Sequence, residues 1–401
     1  MKRTFPEVLQ PLQSIFDQLL PQVVAFREEL HRHPELSWQE VETTRRIRQF
    51  LEQQGIPVFH QPIETGGWVD FVFKKGAPFV LLRGDIDALP IQDAKSVPYR
   101  SQNPGVCHAC GHDVHTAVAA GVAAAIHQSG IRLPYNLRVL FQPAEEPIPA
   151  GAPKMIEAGV LDGVEVALGL HVDPRIPLGT ISLTPGWVNM QSIQLDLLFE
   201  GPGGHSSRPS ETADIIWLAS RLIQDSYGII YRAFDWMKYP IMLTFTEIEA
   251  KEGYNIIPKQ LRLTGTLRLT NPQAKNRFLI RFRALLQELE SENGIVIHFI
   301  KKEGAPPVTN NEALIRFLQD TIQRETPDQF HIIDNYRSPG GDDFGFYAQK
   351  VPAALVRFGI QTRDDQPGLH TQYFDAPSEV VEIAMRFFLS VLPFLKPDQF
   401  S

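Results

Sequence analysis

The stretch Cys107-His108-Ala109-Cys110-Gly111-His112-Asp113-Val114-His115 crowds thiols, imidazoles and a carboxylate into a few residues. Ligands of this softness at this density suit a transition metal such as zinc, manganese, cobalt or nickel. Cys110 and His112 are one residue apart, and Gly111 between them permits a tight turn that points both into one pocket. Reading Cys107-x-x-Cys110 as a redox pair or half of a zinc ribbon would want a second such pair, which the chain lacks. Cys107 is therefore expected to be a small buried thiol. The adjacent pair Glu145-Glu146 is the second pointed feature. Neighbouring side chains diverge in an extended segment, so one carboxylate can bind a metal while the other faces the reacting water as a base. Such a pair is often just solvated surface; here it follows an apolar strand and a proline.

The elements that must carry these groups are legible as periodicities. Apolar runs at 68–73, 79–82, 137–141 and 164–170 read as strands bounded by Gly or Pro. Helical patterns cover 15–32, with Pro21 breaking or restarting it, then 38–54, 113–129 and 151–159. This alternation predicts an α/β fold with a mostly parallel sheet. Ligands gather at the carboxyl ends of such strands. Leu81-Leu82 runs into Asp85 and Asp87, Val139 to Phe141 into Glu145 and Glu146, and Ala167 to Leu170 into His171. One sheet edge would collect all five.

The pattern changes after Val188. Strand 192–199, helix 211–228, strands 241–249 and 261–269, helix 272–291 and strand 295–301 give the β-α-β-β-α-β order of a ferredoxin-like α+β unit. The α/β pattern then resumes with helix 311–325, a Gly-rich turn at 339–346, strand 353–358 and helix 377–395. The expected organisation is a catalytic domain from 1–188 and 302–401 with a domain inserted at 189–301.

Bulk properties agree with two domains, since 401 residues exceed one ordinary core. A formal net charge of -8 argues against a broad nucleic-acid or anionic-membrane surface. No window approaches the roughly 20 apolar residues of a membrane span. Met1 to Leu20 has no apolar core, so a secretory signal is not expected. The only two cysteines lie in the metal-like turn, which excludes a disulfide framework and predicts a cytoplasmic, reducing setting.

His31-Arg32-His33-Pro34-Glu35-Leu36-Ser37, Asp85-Ile86-Asp87-Ala88-Leu89-Pro90, His108-Ala109-Cys110-Gly111-His112-Asp113, Gln142-Pro143-Ala144-Glu145-Glu146 and Gly201-Pro202-Gly203-Gly204-His205 stand in a recognisable order. Asn255-Ile256-Ile257-Pro258, Gly265-Thr266-Leu267-Arg268, Gly341-Asp342-Asp343-Phe344 and Gly368-Leu369-His370 extend it. Over nearly its whole length the chain resembles the hippurate hydrolase, aminoacylase and indole-acetyl-amino-acid hydrolase branch of the dinuclear-metal peptidase and deacylase clan.

The resemblance implies two divalent metal ions (manganese, zinc, cobalt or nickel) held by Cys110, His112, Glu146, His171 and His370. Without it, His171 would read as a core histidine and His370 as a surface one. It implies that Glu145 is the general base and that Asp87 orients a ligand. Asp85 and Asp113 could share that task or cap the helix near Asp113. It implies that His205 stabilises the oxyanion, and that Asn255 and Arg268 hold the substrate's amide and α-carboxylate. Arg268 could instead form a surface ion pair. The inserted domain would act as a lid and as the surface of a homo-oligomer.

The expected activity is hydrolysis of the amide bond of N-acyl-L-amino acids, with a dipeptidase or carboxypeptidase as the alternative. A non-hydrolytic metal protein and a cysteine-nucleophile enzyme are the competing classes. The chain departs from the usual pattern at Gly84, Val114, Asp342 and Ser206 to Ser210. The last of these bears on substrate choice.

Overall fold

The computed structural model describes residue 5, residues 9–235 and residues 237–400. In chain order the helices α1 (Pro11–Arg32) and α2 (Val41–Gln53) come first, then strands β1 (Gly67–Phe71) and β2 (Phe79–Asp85). Helix α3 (His112–Ser129), strand β3 (Asn136–Gln142), helix α4 (Gly151–Glu157) and strands β4 (Val164–Pro177), β5 (Thr180–Ser182) and β6 (Gly186–Asn189) follow. Next are β7 (Gln191–Glu200), β8 (Gly204–His205), α5 (Ile215–Ala233), β9 (Ile241–Glu249), β10 (Ile256–Ile257), β11 (Gln260–Leu269), α6 (Pro272–Asn293) and β12 (Val296–Glu303). The chain closes with β13 (Val308–Asn310), α7 (Glu312–Glu325), β14 (His331–Ile333), α8 (Gly345–Ala348), β15 (Ala353–Gln361) and α9 (Glu379–Val391).

One unit consists of the chain up to Val188, Val308–Arg337 and the chain from Asp343. Its sheet has the order β1-β3-β2-β4-β15-β5-β14. The four central strands β3, β2, β4 and β15 are parallel, and β1 pairs antiparallel at one edge. Both faces are buried, as a parallel sheet requires. Val80 and Leu82 of β2 point into a core shared with α1, α2, α3 and α9, whereas Leu81 points to the other side, against Met155, Phe344 and Tyr347. Helix α1 continues through Pro21. The ring removes a single intrahelical hydrogen bond, and the buried Leu19, Val23, Phe26 and Leu30 hold the turns on either side.

Helix α3 positions the metal-like turn. It is buried from His112 to Ile126, alanine-rich, and bracketed by Gly111 (φ 88) and Gly130 (φ 64) in left-handed conformations. Its closeness to β2 depends on Gly84, where a Cβ would lie 2.7 Å from the His115 carbonyl oxygen. Any side chain at this position would require the helix to move.

The second unit comprises Asn189–Pro307 together with Ser338–Asp342. Its antiparallel sheet has the order β12-β7-β11-β9, which with α5 and α6 is the ferredoxin-like split β-α-β. Ile193, Leu195, Leu197 and Phe199 alternate into the helix-covered core. Asp214 and Asn271 cap the two helices with side-chain oxygens. The unit reaches Pro307, past the expected 301, and it recruits 338–342 from the region expected to belong to the catalytic domain. The recruitment is by hydrogen bonds: the Met190 N–H donates to the Gly340 carbonyl at 3.1 Å, Asn189 Nδ2 to the same carbonyl at 3.1 Å, and Arg268 to the Pro339 carbonyl at 2.8 Å. Among the described residues no helix is long and apolar enough to cross a membrane.

Candidate metal centre

Within the first unit the turn before α3, the segment after β3, strand β4 and the loop between β15 and α9 bring Cys110, His112, Glu145, Glu146, His171 and His370 together. Ligand atoms of Cys110, His112 and His171, of Cys110, Glu146 and His370, and of His112, Glu145 and Glu146 each lie within 4.8 Å of one another. His370 Nε2 is 3.3 Å from Glu146 Oε1. His112 Nε2 is 3.9 Å from Glu145 Oε2 and 3.9 Å from Glu146 Oε1. His171 is not at the end of its strand: β4 runs on to Pro177 and pairs with β15 through His171↔Arg357.

Several local devices aim these groups. Gly111 holds the turn open, since a Cβ there would lie 2.3 Å from Val172 Cγ2. The His370 N–H donates to the Ala109 carbonyl at 2.8 Å, tying a loop far along the chain to the turn that carries Cys110. His370 itself takes φ 60, a conformation that costs a non-glycine residue energy. The His112 ring has its Nδ1 at 2.9 Å from the Asp87 carbonyl and 3.0 Å from Asp87 Oδ1. Both partners are acceptors, so Nδ1 carries a hydrogen and Nε2 of the neutral ring presents its lone pair. Asp87 Oδ2 also accepts from Ser37 Oγ at 2.7 Å and from the Glu146 N–H at 3.1 Å. Glu145 Oε1 accepts from the Asp343 N–H at 3.2 Å.

The electrostatics call for positive charge. Burial resists ionisation of Asp85, but Arg83 and the nearby imidazoles outweigh it and hold the carboxyl well below its usual range. Burial also resists protonation of His112, yet Asp85 and Cys110 overcome it and raise the ring's proton affinity. Burial and then the Glu146 carboxylate push the Cys110 thiol up. Among the described residues, His112 Nε2 and Glu146 Oε1 are buried and make no aligned hydrogen bond. A buried polar atom is rarely left so unless something else satisfies it. The donor set of thiolate, imidazoles and carboxylate fits divalent transition metals.

The remaining site residues divide clearly. Asp113 neither touches the cluster nor caps its helix. It is buried at the second position of α3, paired with Arg27 Nε and His31 Nδ1, each at 2.7 Å. His108 is buried, both ring nitrogens without a hydrogen-bond partner among the described residues, and burial lowers its pKa to about 3. Cys107 is a buried free thiol receiving the Lys95 amine at 3.6 Å. His205, Asn255 and Arg268 belong to the second unit. There β8 pairs with β10 and the Ser206 N–H donates to the Asn255 carbonyl at 3.0 Å. His205 Nδ1 accepts from the Ser207 N–H at 3.2 Å, so the neutral ring keeps its hydrogen on the exposed Nε2. Among the described residues Arg268 pairs with no carboxylate; its guanidinium donates to the Pro339 carbonyl. From sequence, Arg83 and Asp343 carry no role of their own, and His115 reads only as a supporting or neutral member of the metal-like turn. Arg83 is fully buried between Asp85, Gln142 and Asp343, contacts that only the tertiary fold creates.

A parallel α/β unit with this cluster, carrying a ferredoxin-like insertion, defines the class of two-unit metallohydrolases. Residues 81–393 match the profile of Peptidase family M20/M25/M40, and the chain belongs to that family. It is 32% identical over 367 residues to the N-acetylcysteine deacetylase of Bacillus subtilis (strain 168), covering 91% of this chain and 94% of the relative. To the IAA-amino acid hydrolase ILR1-like 4 of Arabidopsis thaliana it is 31% identical, covering 90% and 82%. Among solved structures, a dinuclear metal-binding peptidase of family M20 from Bacillus subtilis superposes with a TM-score of 0.81 at 30% identity, covering 94% of this chain and 98% of that one.

Proposed function

We propose that this chain is a metal-dependent amidohydrolase that cleaves N-acyl-L-amino acids to a carboxylic acid and a free amino acid. The observation that carries this reading is the convergence of Cys110, His112, Glu146, His171 and His370 beside a carboxylate, Glu145, that is hydrogen-bonded separately. The names of the relatives, a deacetylase of an N-acyl amino acid and a hydrolase of acyl-amino acid conjugates, support the substrate class.

The five clustered residues would hold two divalent cations, of manganese, zinc, cobalt or nickel. Bound there, the cations would polarise the scissile carbonyl and acidify the attacking water. The rest falls to the protein. Asp87 keeps His112 in the tautomer whose Nε2 lone pair is available. Glu145, with Oε1 steadied by the Asp343 N–H, takes the water's proton at Oε2 and returns it to the leaving amine. His205 offers Nε2–H to the oxyanion. Asn255 and Arg268 hold the amide and the α-carboxylate, for which a guanidinium is the apt donor.

Two further parts of the proposal concern setting and assembly. Two free cysteines suit a reducing, cytoplasmic environment. The edge strand β9 and the exposed Ile216, Trp217, Tyr227 and Tyr231 of α5 suit pairing with a second copy of the chain.

The test is a panel of hippurate, N-acetyl amino acids and dipeptides, run on chelated protein reloaded with each metal in turn. Cleavage of the acyl amino acids, abolished by chelation, is the expected result. Preference for dipeptides would move the assignment to a dipeptidase, and activity that survives chelation would overturn it.

A further inference from the structure

His115 lies three residues beyond His112 on α3 and is fully buried. Its partners define which nitrogen carries the hydrogen. The Val172 N–H donates to Nε2 at 2.9 Å, so Nε2 is a lone pair and the hydrogen sits on Nδ1, 2.6 Å from Asp85 Oδ1. The same logic applies to His171. Its Nδ1 is 2.6 Å from the Val172 carbonyl, which can only accept, so Nε2 presents a lone pair, 3.6 Å from Cys110 Sγ. The two rings, 4.8 Å apart between centroids, thus grip the N–H and the carbonyl of a single residue.

This grip answers a need of the sheet. Strand β2 stops pairing with β4 at Arg83↔Gly169, so beyond that point β4 has, among the described residues, no strand neighbour on that side to accept its N–H groups. A buried N–H without an acceptor is costly, and His115 supplies one at the residue after His171. His115, Asp85 and His112 stand close enough to hold a cation by distance alone. Yet both nitrogens of His115 are already engaged, one accepting and one donating.

We propose that His115 is a positioning residue for His171: by accepting from Val172 it fixes the backbone beside His171 and aims the Nε2 lone pair of His171 into the candidate centre. The proposal rests on the reading of His171 as a ligand.

Glutamine and asparagine at 115 separate the two contacts. The glutamine amide oxygen reaches the place of Nε2, whereas asparagine reaches only that of Nδ1. Apoprotein of the parent, His115→Gln, His115→Asn and His171→Ala is titrated with cobalt(II). Affinity and the thiolate–cobalt absorption band are read alongside the melting temperature of each apoprotein. His115→Asn is expected to lose about 10- to 100-fold in affinity, in the range usual for partners of ligands, with a weakened band, while His115→Gln is retained near the parent. Asparagine binding as tightly as the parent, or both variants losing affinity equally in step with melting temperature, would overturn the proposal. Undiminished affinity in His171→Ala would instead refute the ligand reading on which it stands.

Discussion

The backbone N–H of Asp343 donates to Oε1 of Glu145 across 3.2 Å, joining two residues from distant parts of the chain at the edge of one cluster. The Asp343 carboxylate is itself held by Arg83 Nη2 at 2.6 Å, by Gln142 Nε2 and by the Ala152 N–H at 2.9 Å. The carboxylate assigned as base is therefore steadied by a buried scaffold, while its neighbour Glu146 turns towards His370.

That divergence separates the two glutamates by experiment. Glu145→Gln should retain metal, measured by elemental analysis of the purified protein, and lose about 100- to 10,000-fold in kcat, the usual worth of a general base. Glu146→Gln should lose metal as well as activity. Near-normal turnover in Glu145→Gln would end its assignment as base.

The scaffold predicts a stability effect away from the reacting atoms. Asp343→Ala removes one of the acceptors of the fully buried Arg83 guanidinium. Breaking a buried pair from one side costs on the order of 3 kcal/mol. Urea unfolding should show the loss, and Asp343→Asn, which keeps an acceptor oxygen, should lose less. An unchanged midpoint in the alanine variant would mean that Arg83 is adequately held by Asp85 and Gln142.

A pH dependence follows from His31. Burial opposes its charge, but Asp113 at 2.7 Å outweighs the penalty with help from Asp93, raising the pKa to about 10. The folded state thus binds this proton more tightly than the unfolded chain does. The resulting stability is complete below the ordinary histidine pKa of about 6.5 and declines as pH rises towards 10. His31→Gln should flatten thermal stability over that interval relative to the parent. A parent curve that is level between pH 7 and 10 would contradict the assignment.

Association through the second unit is testable by sedimentation. Tyr231 is 85% and Trp217 53% exposed on α5. If the parent is a dimer through this face, a Trp217→Glu, Tyr231→Glu double variant should sediment as a monomer with the first unit's metal content unchanged. A dimer that persists in the variant would assign the interface elsewhere.

The fold was legible wherever periodicity decides it. The parallel sheet and the ferredoxin-like order could be read because Val80-Leu81-Leu82 lacks polar interruption and Ile193 to Phe199 alternates. The limits were tertiary. Residues 338–342 join the second unit through hydrogen bonds to Asn189 and Met190, and no local pattern announces such recruitment. The same applies to β4, whose extension past His171 depends on pairing with β15. Of the candidate site, Cys110 and His112 stood out by density and Glu145-Glu146 by following a strand. His370, in a loop of ordinary composition, required the family resemblance. Asp343 and His115 acquire meaning only from the partners that folding brings to them.

The hydrogen bond from His370 to Ala109 has a consequence for the order of events during synthesis. A growing chain that has exposed the first two hundred residues already carries Cys110, His112, Glu146 and His171, but the loop that carries His370 is still unmade. The cluster proposed to hold the metals is complete only once the C-terminal part of the chain has left the ribosome and returned to the turn that was made first.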